Sequence, residues 1–416
     1  MLESSLDNFS NDVFRFLTGE NKSARGLLVK KHSENLCTHG EFSFPNTVKS
    51  WHGFVDMNKV KSQDGNFLKC VGKEITTVME ESVDWEIKVN KVKEEKDRVY
   101  LFLERSRTTY IGLLEGLKNN TLITHKLHNI CSKVTVDPVC IENNTITSLR
   151  VNYLCYVVRN LCLIVDNKQW PEIIVTSKSS SKSNEKRILF CGPVLNANTG
   201  SKESIVNADA FIRIRQDEMT LIAQHKYGVR VMTNSKWKEF IVHLGESAVK
   251  FELLQIKPNS AIKINFDCSS TGSSKGASFI LYNCARLETI IRTYNEKVNV
   301  GTYPPLPDFK DTDFTLLSQE DEWCLIFNFI LGLPSLLENC VEINDKSIEI
   351  RPHLICTYLC SMVRVFSQYY RRTRILMEPR KHLLPVIFAR MHMLKILNDT
   401  LKSCLNILSI KSVNQM

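Results

Sequence analysis

The sequence predicts an α+β chain in which a mixed N-terminal segment and a central α/β layer precede a C-terminal all-α helical bundle. Apolar residues beyond residue 276 recur at spacings of three and four almost to the terminus, which is the period of a packed helix. Short apolar runs separated by polar turns occupy the middle, and the surplus positive charge is confined to the last stretch. The chain has 416 residues, 43% hydrophobic and 24% charged, enough to bury a core and divide into two or three domains. The expected units are a mixed segment over 1–119, an α/β domain over 120–268 and the helical bundle over 277–416.

At the N-terminus, Phe9, Val13, Phe16 and Leu17 mark a short amphipathic helix, and residues 99–103 alternate like a strand. From Thr145, the series Ile146, Leu149, Val151, Leu154, Val157, Val158 and Leu161 predicts a helix that leads into short buried strands at 163–166 and 172–175. Residues 176–185 are Ser/Lys-rich and read as a loop; apolar order returns at 187–191, and a helix is expected over 236–244. A second Ser/Gly loop, 269–276, marks the main boundary.

Beyond it, Ala277, Ile280, Leu281, Cys284, Leu287, Ile290 and Ile291 form one stripe. Ser318 with Asp321 resembles a capping box that starts a helix ended by Gly332 and Pro334. Residues 353–374 place Leu354, Tyr358, Leu359, Met362, Phe366 and Tyr369 inward and Arg364, Gln368, Arg371 and Arg372 outward. After Glu378 and Pro379 a last helix carries Ile387, Met391, Leu394, Leu397, Leu401 and Leu408 on one side, with Arg390, Lys395 and Lys402 on another.

Lys and Arg total 54 against 45 Asp and Glu, a formal charge of +9. Residues 351–416 hold eleven basic side chains and only Glu378 and Asp399, so they account for the whole excess. That concentrates any attraction for a polyanion at the C-terminal end, although a charge run is also what a solvated helix surface looks like. No apolar run is long enough to span a bilayer, and Glu3, Asp7, Asp12 and Glu20 against Arg15 fit neither a secretory signal nor a transit peptide. No membrane contact and a cytoplasmic location are expected. The fourteen Cys are scattered, without a Cys-x-x-Cys, and are expected to be reduced; Cys356 and Cys360 read as core rather than as zinc ligands. His225, His243, His353 and His392 lack the spacing for metal or nucleophilic chemistry, and no phosphate-cradling Gly motif occurs.

Three stretches together resemble the class I arginyl-tRNA synthetase family. Residues 237–267 are similar to the exit from its catalytic domain, and Tyr282, Ala285 and Arg286 match a Tyr-x-x-Ala-Arg pattern of its first bundle helix. Phe366, Tyr369 and Tyr370 match an aromatic element of its DALR anticodon-binding bundle, which closes on a short tail like the one ending in Met416. The resemblance implies a degenerate synthetase-like α/β remnant followed by an all-α DALR anticodon-binding bundle. Where that family has His-x-Gly-His at the ATP site, this chain has Thr145, Ile146, Thr147 and Ser148 ahead of Leu149 and Arg150. The imidazoles that would stabilise phosphate charge are absent, and only about 90 residues separate Arg150 from Trp237.

A chain that keeps the tRNA-reading end and lacks the ATP motif is similar to the DALR anticodon-binding domain-containing proteins. Residues 190–194, 247–254, 282–286 and 322–328 carry that closer likeness. It implies a non-catalytic adaptor, without catalytic residues, cofactor or metal, that presents arginine tRNAs to a tRNA N3-methylcytidine methyltransferase and does not bind DNA. The alternatives are a divergent arginyl-tRNA synthetase and a scaffold that keeps the bundle for protein contacts only. The implied tRNA-binding residues are Tyr282, Arg286, Tyr369, Tyr370, Arg371, Arg372, Arg374, Arg380, Lys381, Arg390 and Met416. Tyr369 also lies on the core stripe with Phe366, and Arg286 has a second reading as the partner of an acid.

Overall fold

The computed structural model describes residues 2–19, 28–54, 65–165, 169–178, 187–227, 235–266, 274–344 and 347–414. Helix α1 (Ser5–Thr18) has the expected amphipathic face: Phe9, Val13, Phe16 and Leu17 are all buried. Ser4 caps its start and Gly19, at φ +74°, its end, where a left-handed residue costs least as glycine. Strands β1 (Lys30–Lys31), β2 (Phe42–Pro45), β3 (Val89–Glu95) and β4 (Arg98–Leu103) form an antiparallel sheet ordered β1-β2-β4-β3, with a short helix α2 (Leu36–His39) between the first two. The alternation expected at 99–103 is real. Val99, Leu101 and Leu103 point into the core while Arg98, Tyr100 and Phe102 remain partly exposed. Three further single turns, α3 (Val48–Trp51), α4 (Phe67–Cys70) and α5 (Thr77–Glu81), pack under this sheet.

Helix α6 (Arg105–Leu127) was not legible as a helix, and it runs unbroken across the expected boundary at residue 119. Its hydrophobic signal is weak because its buried face is made of small and polar residues, among them Thr108, Gly112, Gly116, Asn119 and Asn120. Glycines are there for close approach: a Cβ on Gly116 would collide with Ile330 and Ile396, and one on Gly112 with Leu331. Asn120 donates to Thr400 Oγ1 at 2.9 Å, so the N-terminal part is fastened to the last helix. One continuous apolar core accordingly joins Phe9, Val158, Phe327 and Leu397.

The central part begins with β5 (Val134–Val136), the turn α7 (Pro138–Ile141) and α8 (Ile146–Ile164), which lies where the apolar series placed it. No strand occupies 163–165, because α8 continues to Ile164; β6 (Ile173–Thr176) and β7 (Arg187–Phe190) are the buried strands, parallel in the order β5-β6-β7. Most of the Ser/Lys loop, 179–186, lies outside the described residues. Strand β8 (Val194–Asn196) pairs in parallel with β9 (Ile262–Ile264), and between them stand α9 (Ala208–Tyr227) and α10 (Ser235–Leu254), the latter longer at both ends than its predicted core. A smaller apolar cluster, including Ile146, Val194, Phe211, Val249 and Ile264, holds this lobe together.

The helical bundle starts with α11 (Ser274–Asn299), whose predicted stripe is buried except for the partly exposed Ile291. The helix cap lies one residue later than expected: Gln319 and Glu322 make the capping box of α12 (Glu320–Cys324), because the side chain of Glu322, not Asp321, turns back to the Gln319 N–H. Nor do Gly332 and Pro334 end a regular helix. The chain passes into a π-helical turn at Leu325–Ile330, and Pro334 opens a new helix, α13 (Leu333–Asn339), where its missing N–H costs nothing. A hairpin of β10 (Val341–Ile343) and β11 (Ile348–Ile350) interrupts the all-α pattern before α14 (Pro352–Arg372) and α15 (Leu384–Ile407). Cys356 is buried and Cys360 half-buried on α14; no metal-ligating group of three is present among the described residues. No helix among them is long and apolar enough to cross a membrane.

Candidate nucleic-acid interface

Helix α11 forms one wall of a cleft of about 560 Å³, and Tyr370 at the end of α14 with residues 373–376 after it forms the other. Tyr282, Arg286, Thr289 and Thr293 face it from α11, at the three- and four-residue spacing of one helix face, and Tyr370, Thr373 and Arg374 face it from the other wall. The Arg286 guanidinium lies 4.5 Å from the Tyr282 ring centre and 4.5 Å from that of Tyr370, so it is held between two aromatic rings. Its Nη2 donates to the Tyr282 hydroxyl at 2.7 Å and its Nη1 reaches Asn283 Oδ1 at 3.4 Å. The acid partner considered for Arg286 is thus replaced by a tyrosine clamp. Tyr370 is 40% exposed, which leaves ring surface open to a ligand. A cleft that combines aromatic faces, a fixed guanidinium and a second exposed arginine can stack an unpaired base and hold a phosphate.

The other predicted contacts divide. Arg371 and Arg372, on the last turn of α14, and Arg374, Arg380 and Lys381, in the segment before α15, are exposed. Arg372 is 3.3 Å from Asp321 and Arg380 is 2.7 Å from Glu378, both at solvent-exposed pairs that a polyanion can replace. Tyr369 and Arg390 are corrected by the structure. Tyr369 is fully buried, with its hydroxyl donating to Glu322 Oε1 at 2.9 Å, and the Arg390 Nε donates to the same oxygen at 2.8 Å from a 7% exposed side chain. Burial and the adjacent Glu322 carboxylate push the Tyr369 phenol well up from its ordinary range. Both side chains are committed to Glu322 inside the bundle and neither lines the cleft. Met416 lies outside the described residues.

Thr289, Thr293 and Thr373 line the cleft without having been singled out from the sequence. The signal was present for the first two, which continue the Tyr282 and Arg286 face by one and two turns.

Of the four residues at the ATP-motif positions, Thr145 is the N-cap of α8 and Ile146, Thr147 and Ser148 form its first turn. Thr145 Oγ1 accepts from the Ser148 N–H at 3.1 Å, and Thr147 Oγ1 accepts from the Val194 N–H at 3.1 Å. Arg150 is 1% exposed and spends its guanidinium on five backbone carbonyls, those of Gly192, Leu253, Ile256, Lys257 and Ser260, at 2.7 to 3.5 Å. At Gly192 a Cβ would collide with the Ser260 carbonyl, so the two backbones are in contact beside that guanidinium.

Residues 280–416 match the family model of the DALR anticodon binding domain. DALR anticodon-binding domain-containing protein 3 of Mus musculus is 31% identical over 236 residues, 56% of this chain and 44% of that protein; the Danio rerio protein of the same name is 30% identical over 239 residues, 56% and 42%. The chain therefore spans less than half the length of these relatives. Arginine–tRNA ligase of Borrelia duttonii is 22% identical over 348 residues, 77% of this chain and 56% of the ligase. Among solved structures, the Thermus thermophilus arginyl-tRNA synthetase superposes with a TM-score of 0.43 at 17% identity, covering 59% of this chain and 41% of that one.

Proposed function

We propose that the protein is a non-catalytic tRNA-binding adaptor, since residues 280–416 match the family model of the DALR anticodon binding domain. The observation that carries this reading is the Tyr282, Arg286 and Tyr370 sandwich on the wall of a cleft that also contains Arg374. The anticodon loop supplies unstacked bases for those rings and phosphates for the exposed arginines at 371, 372, 374 and 380 and for Lys381. Support for the absence of chemistry comes from the segment beginning at Thr145, which caps a helix and is packed against Val194. The finer part of the proposal follows the family resemblance read in the sequence: the adaptor recognises arginine tRNAs and presents them, in the cytoplasm, to a tRNA N3-methylcytidine methyltransferase.

The competing reading is a divergent arginine–tRNA ligase, favoured by similarity to such a ligase over 77% of the chain. Two measurements separate them. An adaptor retains labelled arginine tRNA in a filter-binding assay with steep salt dependence and, given ATP, arginine and tRNA, produces no pyrophosphate. Pyrophosphate release dependent on all three substrates defeats the proposal, as does tRNA binding no tighter than that of an unrelated basic protein.

A further inference from the structure

The chain that leaves α6 runs along one flank of α8. Cys155, Arg159 and Cys162 follow one another at spacings of four and three, so they share a face of that helix. The departing segment is laid on this face. Lys126 donates to the Ile164 carbonyl at 3.3 Å, and Arg159 Nε and Cys155 Sγ reach the Val134 carbonyl at 2.9 and 4.0 Å. Cys131 lies between those two anchors, in a stretch that belongs to neither helix nor strand. Its thiol meets that of Cys162, whose S–H donates to the Cys131 sulfur.

Exposure separates this pair from the other thiols. Both cysteines are partly exposed, and residues 128–130, 132 and 133 around Cys131 are open to solvent, so a small oxidant reaches the sulfurs. Cys155, Cys356 and Cys404 are buried, and the exposed Cys37 gives its S–H to the Glu320 carboxylate. Burial and the bond to Cys131 push the Cys162 thiol up to about 12, with the Lys133 ammonium opposing them. Cys162 therefore keeps its proton and holds it toward Cys131. That makes Cys131 the sulfur that meets an oxidant first and Cys162 the one that follows.

We propose that Cys131 and Cys162 are a peroxide-responsive dithiol that closes into a disulfide and staples the exit of α6 to the end of α8. The Cys131 thiolate attacks one oxygen of hydrogen peroxide; an S–O bond forms, the O–O bond breaks, and the hydroxide that leaves takes up the proton Cys131 had released. The Cys162 sulfur then attacks the Cys131 sulfur, forming S–S and breaking S–O, and the second hydroxide carries off the Cys162 proton as water. Two thiols lose two electrons and two protons while one peroxide becomes two waters. Cys131 can close the remaining gap because no helix or strand bonds hold its backbone. In a reducing compartment the bond is transient, and thiols such as glutathione reopen it. The ring it closes contains β5, α7 and most of α8. The dithiol stands apart from the tRNA reading, since neither cysteine lines the Tyr282 and Arg286 cleft.

The full chain is treated with a few equivalents of hydrogen peroxide, free thiols are blocked with iodoacetamide, and peptides are mapped without reduction. The expected product is a peptide pair joined through Cys131 and Cys162, lighter by two hydrogens than the separate thiols and restored by dithiothreitol. Cys162→Ser should remove the pair and leave Cys131 as a sulfenic acid that dimedone labels; Cys131→Ser should leave Cys162 unlabelled, and Cys155→Ser should leave the pair intact. Oxidised wild type should unfold at a higher temperature than reduced wild type, with no such rise in Cys162→Ser. Linkage of Cys131 to Cys155 instead, linkage only in urea, or no linkage when Cys37 is already oxidised overturns the proposal, as does an unfolding temperature that oxidation leaves unmoved.

Discussion

The Tyr369 hydroxyl and the Arg390 guanidinium converge on one oxygen of Glu322, at 2.9 and 2.8 Å, inside the bundle. The other carboxylate oxygen accepts the Gln319 N–H at 3.1 Å, and the Gln319 side chain in turn accepts from Thr373 at 2.7 Å. The cap of α12 thereby fixes the end of α14 that carries Tyr370 and Arg374. Removing the carboxylate strands a buried cation, so Glu322→Ala should lower unfolding free energy by about 3–5 kcal/mol, whereas Tyr369→Phe should cost about 1 kcal/mol. Urea denaturation of the two variants checks the ordering, and equal losses would refute the shared-oxygen account.

Replacing Arg371, Arg372 and Arg374 together with Ala should weaken tRNA binding and flatten its dependence on log salt by roughly 2–3 in slope, with helix content unchanged. Filter binding across a salt series and far-ultraviolet circular dichroism measure both. An unaltered slope would place the phosphate contacts elsewhere.

For the clamp, Tyr370→Ala should cost about 1–3 kcal/mol of tRNA affinity, the value of one base stack. Arg286→Lys keeps the charge but loses the planar group that two rings can hold, and so should fall closer to Tyr370→Ala than to wild type. Wild-type affinity for the lysine variant would reduce Arg286 to a point charge.

Glu115 gives a pH signature. Burial pushes its carboxyl up to about 7, against the opposing effect of hydrogen bonds from the Ser5 N–H and hydroxyl. With the folded value above the ordinary 4.5, the folded state holds the proton more tightly. Its contribution is complete below 4.5 and is lost as pH rises through about 7, on the order of 3 kcal/mol at most. Thermal unfolding from pH 4.5 to 8 should show this decline in the wild type and a flatter profile in Glu115→Gln.

Gly116→Val tests the α6 contact. Its side chain has no room against Ile330 and Ile396, and overpacking of this kind costs about 1–3 kcal/mol or more. A neutral effect in thermal denaturation would mean that α6 and α15 can separate without loss.

The helices that sequence made visible, α1, α8, α11, α14 and α15, each bury a long apolar stripe. Helix α6 escaped because glycine, threonine and asparagine make its contacts, a surface that carries no hydrophobic period. The β10 and β11 hairpin is three residues a side and too short for alternation to register. Of the residues chosen by type and charge, Tyr282, Arg286, Tyr370 and Arg374 line one cleft, whereas Tyr369 and Arg390, chosen in the same way, lie buried. Their types suit RNA equally well, and only the position of Glu322, 47 and 68 residues away in sequence, turns them inward.

The passage of α6 through residue 119 also bears on how the molecule can be cut. A recombinant fragment beginning near residue 277 would strip Gly112, Gly116 and Asn120 from Leu331, Ile330, Ile396 and Thr400, baring aliphatic surface that water penalises. The stretch that aligns with the anticodon domain is therefore a borrowed half of one hydrophobic interior. Excised from its other half, it should precipitate or unravel.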